Sequence, residues 1–151
     1  MNKTERLRQL AKDYGLTGEH FFKDKRGFVI INRSGIERIQ ARDNIKVVYE
    51  KEEMERDWVV IKAIATVNDV SVESFGEASP ETCMSKFYVA MAEKRAKARA
   101  ILQLTQFYEL DVFSDSEIED KQPIKSKGMT AQFEETTIDK YHNDDIIYDN
   151  R

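Results

Sequence analysis

The chain has 151 residues, of which 34% are charged, and its formal net charge is −4. This length suits one domain with a hydrophobic core and a less ordered attached segment. The one cysteine, Cys83, excludes an intrachain disulfide, and no apolar run approaches membrane-spanning length. Two histidines and one cysteine are also too few for a typical zinc site. We therefore expect a cytoplasmic protein that has no membrane contact and no bound metal.

Charge is distributed unevenly along the chain. Residues 1–109 carry a net charge of +2, whereas residues 110–151 carry 11 acidic and 5 basic residues, a net charge of −6. The hydrophobic residues of the second segment are scattered and follow no period. We therefore predict a folded domain over residues 1–109 and an acidic, mostly disordered tail over residues 110–151.

Hydrophobic spacing predicts the first elements of the domain. Apolar residues at helical spacing indicate a helix over residues 4–14. The apolar run GFVIIN at 27–32 indicates a short strand. A second helix is expected over residues 34–44, with Ser34 and Glu37 forming a capping box at its start.

Three strands and a long helix are predicted next. Residues 45–51 alternate in hydrophobicity, and WVVIKAIATV at 58–67 is rich in β-branched residues. An Asn-Asp dipeptide then indicates a tight turn into the strand VSVESFG at 70–76. A helix is expected from about residue 83 to residue 106. This order predicts an α+β domain in which a small antiparallel sheet with a β-hairpin packs on a long, basic C-terminal helix.

The long helix contains the densest group of cations in the chain, formed by Lys94, Arg95, Lys97 and Arg99. At 100° per residue, the stripe expected to pack on the sheet contains Met84, Phe87, Met91, Ala98 and Leu102. Lys94 and Arg95 fall at the margins of this stripe. Two interpretations remain open: the long basic stems cover the edge of the core, or they form a phosphate-binding ridge beside a groove.

Several segments resemble the annealing domain of the Rad fifty-two family, which includes many phage single-strand annealing proteins. They are VIIN at 29–32, the helix ending at Asn44, the hairpin ending in ESFGEAS, and AEKRAKARAIL. The family pattern has a Val-Ile-Asn strand end before a helix, a hairpin with a Gly-rich turn, and a long helix with a Lys-Arg pair and a later arginine. The resemblance covers about residues 25–108.

Two features limit how individual residues are matched to the family. The later arginine follows the Lys-Arg pair by three positions in the family, but Arg99 follows Arg95 by four. The role of each basic residue is therefore left open. Erf-type phage recombination proteins also share a basic, alanine-rich helix after a hairpin, so the chain resembles both groups.

The resemblance implies binding of single-stranded DNA and ATP-independent annealing of complementary strands, in homologous recombination of a phage or mobile element. It also implies ring or filament homo-oligomers. Annealing requires no catalytic residue, and the sequence contains neither a phosphate-binding loop nor a recognisable nucleophile constellation. We therefore predict no enzyme activity and no cofactor. The predicted DNA contacts are Lys94, Arg95, Lys97, Arg99, Lys62 and Arg33.

Lys62 and Arg33 belong to this set on positional grounds. Lys62 lies inside the apolar strand 58–67, where it occupies either the solvent face of an alternating strand or the wall of a DNA groove. Arg33 follows Asn32 at the end of the first predicted strand. Trp58 and Tyr88 are expected in the core or at its margin rather than as platforms for stacked bases.

Other functions remain as alternatives. The helix could pack on a protein partner, which would make the chain a non-catalytic adaptor of a phage or mobile element that does not bind DNA. A metal nuclease using Asp57, Glu73 and Lys62 is disfavoured because Glu73 and Lys62 do not have the Glu-x-Lys spacing. The terminal sequence NDDIIYDN resembles the acidic tips with which bacterial single-strand-binding proteins recruit repair partners, although a solubilising tail is the favoured interpretation.

Overall fold

The computed structural model describes residues 1–118, and most of the predicted acidic tail, residues 119–151, lies outside the described residues. The described helices are α1 (Lys3–Asp13), α2 (Arg33–Asp43) and α3 (Tyr88–Leu104). The strands are β1 (Phe21–Lys23), β2 (Val29–Ile31), β3 (Lys46–Glu55), β4 (Trp58–Val67), β5 (Val70–Ala78) and β6 (Val112–Ser114). The predicted α+β class is confirmed.

The first sheet has the order β1-β2-β6, in which β2 is antiparallel to β1 and parallel to β6. Its central residues Ile30 and Ile31 are fully buried. Neither β1 nor β6 was predicted, because three residues are too few to establish a period. Strand β6 lies beyond the boundary expected at residue 109, so the folded part of the described chain continues past that position.

The second sheet is the antiparallel meander β3-β4-β5. Alternate residues of β4, from Val59 to Ala65, are buried beneath α3. Strand β3 extends past the predicted end at residue 51, because the polar sequence that follows still pairs with β4 after a bulge between Lys51 and Glu53. The turn between β4 and β5 was predicted from its sequence, and Asn68 adopts the left-handed conformation there with φ of 53°.

Helix α3 presents a different side to the meander from the one predicted. Of the predicted stripe, Ala98 and Leu102 are buried, but Met84 and Phe87 precede the helix and are exposed. Ala92 and Ala96, which lie outside the stripe, are fully buried. The reason is the close approach of α3 to β5. A Cβ atom added to Gly76 of β5 would overlap the backbone of Ala92 and Ala96, so only the smallest side chains fit between helix and strand.

The start of α2 also differs from the prediction. Asn32, and not Ser34, is the N-cap residue: its side-chain oxygen accepts a hydrogen bond from the Gly35 N–H at 2.9 Å. The same side chain donates to the carbonyl of Glu19 at 2.8 Å. Asn32 therefore fixes α2 against the segment before β1, which places Arg33 in the first turn of the helix.

Replacing Gly76 with Ala tests this close approach. The added methyl group would meet backbone atoms, which cannot move aside as a flexible side chain can, and we expect the free energy of unfolding to fall by roughly 1–3 kcal/mol or more. Urea unfolding measures the change. Glu73→Ala, on the opposite face of the same strand, is the control and should change stability little. An unchanged unfolding midpoint for Gly76→Ala would contradict the described packing.

Burial of His20 should make the free energy of unfolding depend on pH. Burial lowers the pKa of His20 and outweighs the opposite effect of the Glu19 carboxylate, while its Nδ1 atom accepts a hydrogen bond from the Thr17 N–H at 3.0 Å. As the pH falls below about 6.5, the unfolded chain takes up the proton first, so stability is lost between that pH and the lower folded-state pKa. In urea unfolding at pH 7.5 and 5.5, His20→Gln should lose less stability than the wild type. Equal losses would contradict the prediction.

Candidate nucleic-acid interface

Arg95 is buried, with 5% of its surface exposed. Its Nε atom donates to the carbonyl oxygen of Ser116 at 3.1 Å. Its Nη1 and Nη2 atoms donate to the carbonyl oxygens of Glu77 and Thr82, each at 2.7 Å. One guanidinium group therefore joins α3 to the end of β5, to the following loop and to the segment after β6. Arg95 serves the fold and is not accessible to DNA in this structure.

Arg99 makes a similar connection one helical turn later. Its Nη1 atom donates to the carbonyl oxygen of Phe75 at 2.7 Å, and its Nη2 atom lies 2.8 Å from Oε2 of Glu117. The Nε atom donates to the other oxygen of Glu117. This paired hydrogen bonding raises the pKa of Arg99. We call Arg95 and Arg99 the arginine clamp, because together they hold β5 and residues 116–117 against α3.

Two further predicted DNA contacts are paired with carboxylates. Lys97 lies 2.8 Å from Oε1 of Glu37 and joins α3 to α2. Lys62 lies in the meander, and its hydrogen bond with Glu50 is the main cause that raises its pKa. The carboxylate oxygens near its Nζ atom belong to Glu50 at 2.9 Å, Glu73 at 3.8 Å and Glu52 at 3.9 Å. These glutamates disfavour a phosphate at Lys62.

Lys94 and Arg33 differ from the other four predicted contacts because both are exposed. Within residues 1–118, neither side chain forms an ion pair. The backbone N–H of Arg33 donates to Oδ2 of Asp115 at 3.3 Å, which leaves the guanidinium group outside that contact. Of the six predicted residues, these two have the accessibility that a phosphate contact requires.

Charge is separated between two parts of the described fold. Residues 1–45, which we call the basic segment, contain ten Lys and Arg against six Asp and Glu, a net charge of +4. Residues 46–78, which we call the acidic meander, contain four Lys and Arg against eight Asp and Glu, a net charge of −4. The exposed cations of the basic segment are Lys3, Arg6, Lys12, Lys25, Arg26, Arg33, Arg38 and Arg42. Lys3 is ion-paired with Asp111, Arg6 with Glu109 and Arg26 with Asp24. Of the eight, only Arg33 was predicted as a contact from the sequence, although the charge balance of residues 1–45 was visible there.

The meander has a second face, directed away from α3, that is both apolar and acidic. Val48, Trp58 and Phe75 are exposed on this open face, so the expectation that Trp58 lies in the core or at its margin is wrong. Strand register places acidic side chains on the same face, those of Glu50, Glu55, Glu73 and Glu77. An exposed apolar patch with a polar rim is typical of a protein-binding surface, and its carboxylates disfavour nucleic acid.

Within residues 1–118, no helix is long and apolar enough to cross a membrane. No group of three or more histidine, cysteine or acidic residues is arranged there to hold a metal ion.

Comparison with known proteins gave no relative. No protein-family model matches the chain, and neither the curated proteins nor the solved structures gave a significant match. The resemblance to annealing proteins therefore depends on the sequence motifs alone.

The arginine clamp predicts which basic residues of α3 stabilise the fold. Arg95→Ala leaves the carbonyl oxygens of Ser116, Glu77 and Thr82 without this donor, and we expect a loss on the order of 3 kcal/mol in the free energy of unfolding. Arg95→Lys should restore little of it, because one ammonium group cannot match the planar fork. Lys94→Ala, one residue away and exposed, is the control, with an expected change below about 0.5 kcal/mol. Equal effects of Arg95→Ala and Lys94→Ala in urea unfolding would contradict the clamp.

Proposed function

We propose that this chain binds single-stranded DNA and anneals complementary strands without a nucleotide cofactor, in homologous recombination of a phage or mobile element. The observation that carries the proposal is the charge separation, with exposed cations collected in the basic segment at a net charge of +4. The meander followed by the long helix α3 also agrees with the order that the resemblance implies. The proposed setting is the cytoplasm, and the proposed activity is non-enzymatic.

The proposed mechanism separates residues that hold the fold from residues that hold DNA. The arginine clamp and the ion pair between Lys97 and Glu37 keep α3 in place on the meander and on α2. Lys94 and Arg33 then contact phosphates, together with other exposed cations of α2. Contacts to the DNA backbone leave the bases free to pair, so annealing proceeds through collision of bound strands, and base pairing itself stabilises the product. Such binding weakens steeply with salt, because it releases counterions from the phosphates.

Self-association is the second part of the proposal. The open face of one copy offers carboxylates and exposed apolar side chains, and the basic segment of another copy offers complementary charge. A contact between two different surfaces is heterologous, and its repetition yields a closed ring or an open filament. This arrangement is consistent with the oligomers that the resemblance implies.

The adaptor remains the alternative function, and one observation favours it. Four of the six predicted DNA contacts are occupied by carbonyl or carboxylate groups of the chain itself, whereas the open face exposes apolar residues of the kind that bind proteins. Partner recruitment by the terminal acidic sequence is a prediction that lies outside the described residues.

An annealing assay with complementary oligonucleotides tests the proposed function. The wild-type protein should accelerate pairing equally with and without ATP, and its affinity for single strands should fall as salt rises. The double variant Arg33→Ala/Lys94→Ala should stay folded, weaken binding and reduce the salt slope by an amount equal to about two phosphate contacts, roughly 1.4 in log–log units.

A charge-matched control uses two exposed cations of the acidic meander. Lys51→Ala/Arg56→Ala removes the same charge and should leave the affinity nearly unchanged, because the neighbouring carboxylates already disfavour DNA there. Equal weakening by both double variants would mean that only net charge matters. Absence of binding by the wild type at low salt would overturn the annealing proposal and favour the adaptor.

A further inference from the structure

The turn between β1 and β2 is ordered by one aspartate. Oδ1 of Asp24 accepts hydrogen bonds from the backbone N–H groups of Arg26 and Phe28, both at 3.0 Å. The N–H of Gly27 donates to the carbonyl oxygen of Asp24 at 3.0 Å, and Gly27 has φ of 88°, a conformation that favours glycine. The turn is therefore held in one shape by the Asp24 side chain and its own backbone, and it requires little ordering when it binds a ligand.

This turn presents an aromatic ring and a guanidinium group together. The Cζ atom of Arg26 lies 5.0 Å from the centroid of the Phe28 ring, and its Nε atom donates to Oδ2 of Asp24 at 2.8 Å. Phe28 is 37% exposed although it is an aromatic residue. Because Asp24 orients the guanidinium group, Arg26 and Phe28 form a fixed pair at the surface.

The Phe28 ring is also anchored from the first sheet. It meets Phe113 of β6 edge-to-face, with centroids 5.3 Å apart, and Phe113 meets Tyr108 in the same manner at 5.4 Å. This row of three rings restricts Phe28 without burying it. Lys25, next to the pair, is exposed, and residues 23–28 carry three basic residues against one acidic residue. A rigid exposed ring beside the exposed ammonium group of Lys25 suits a ligand with both a flat apolar face and a negative charge.

We propose that this turn is a stacking site for an unpaired base of a single-stranded nucleic acid. The base stacks on the pair formed by Arg26 and Phe28, and the ammonium group of Lys25 contacts an adjacent phosphate. Every base has a π face, so the site is tolerant of sequence, and it selects single strands because the bases of a duplex are already stacked on one another. This inference rests on the proposed function and adds to it a contact that only an unpaired base can make.

The experiment measures the affinity of the full chain for a fluorescent thymidine oligonucleotide and for a duplex. Phe28→Ala should weaken single-strand binding about fivefold to a hundredfold, the range expected when one stacked base is lost. Phe28→Leu retains an apolar side chain against Phe113 but removes the π face, and it should weaken binding similarly. Its unfolding midpoint should stay near that of the wild type.

Two further variants separate the charge from the ring. Lys25→Gln should reduce the salt slope by about 0.7, the value for one phosphate of a single strand. Phe87→Ala is the matched control, because Phe87 is more exposed than Phe28, at 78%, and lies outside the turn. We expect this control to bind like the wild type.

The outcomes distinguish this inference from the proposed function. Wild-type binding that Phe28→Leu leaves unchanged would overturn the stacking site and leave the annealing proposal standing. Equal weakening of single-strand and duplex binding would also overturn it, because stacking requires an unpaired base. Failure of the wild type to bind either oligonucleotide would overturn both proposals.

Discussion

The short separation between α3 and β5 is the constraint on which the rest of the structure depends. Gly76 has no side chain, so the backbone of Ala92 and Ala96 reaches contact with the strand. At this separation the guanidinium groups of Arg95 and Arg99 reach the carbonyl oxygens of β5 directly. The Nε atom of Arg95 and the other two donors of Arg99 reach residues 116–117, just after β6. The second sheet and the end of the first sheet are thus joined through one side of one helix, and a longer separation would remove both connections.

This arrangement explains why an acidic protein concentrates cations on an alanine-rich helix. Backbone carbonyl oxygens at the end of a strand need donors when they are covered, and a guanidinium group supplies five in a fixed plane. Arg95 supplies such donors in the core. Arg99 also supplies them and, in addition, donates to the carboxylate of Glu117. Lysine would be a poor substitute in either place because its single ammonium group is more strongly hydrated. Lys94, by contrast, is on the exposed side, so neighbouring positions of one helix differ between a buried structural role and exposure to solvent.

Long elements could be predicted from the sequence, whereas short ones and the internal partners of the cations could not. Helix α1 and strand β4 contain enough residues for a period to appear, but β1 and β6 have three residues each. The side of α3 that faces the meander was mispredicted because a hydrophobic stripe ranks Met84 and Phe87 above alanine, while close packing selects the smaller residue. The burial of Arg95 had no sequence signal, since its partners are backbone carbonyls that any residue provides. The candidate site therefore keeps Lys94 of α3 and otherwise consists of exposed cations of α2 and the turn between β1 and β2.

Electrostatic contacts weaken as salt rises, whereas contacts between apolar side chains do not. This difference matters for a protein proposed to bind both DNA and copies of itself. The phosphate contacts proposed for Lys94 and Arg33 would involve exposed charges, which salt at 0.1 M screens beyond about 10 Å. A contact through the open face combines such charges with Trp58 and Phe75, whose burial does not weaken as salt rises. Assembly and DNA binding would therefore separate as the salt concentration increases, with self-association persisting after the DNA is released. In such an assembly, cations of the basic segment that a neighbouring copy covers could not hold phosphates, so a bound strand would have to follow the cations that stay exposed.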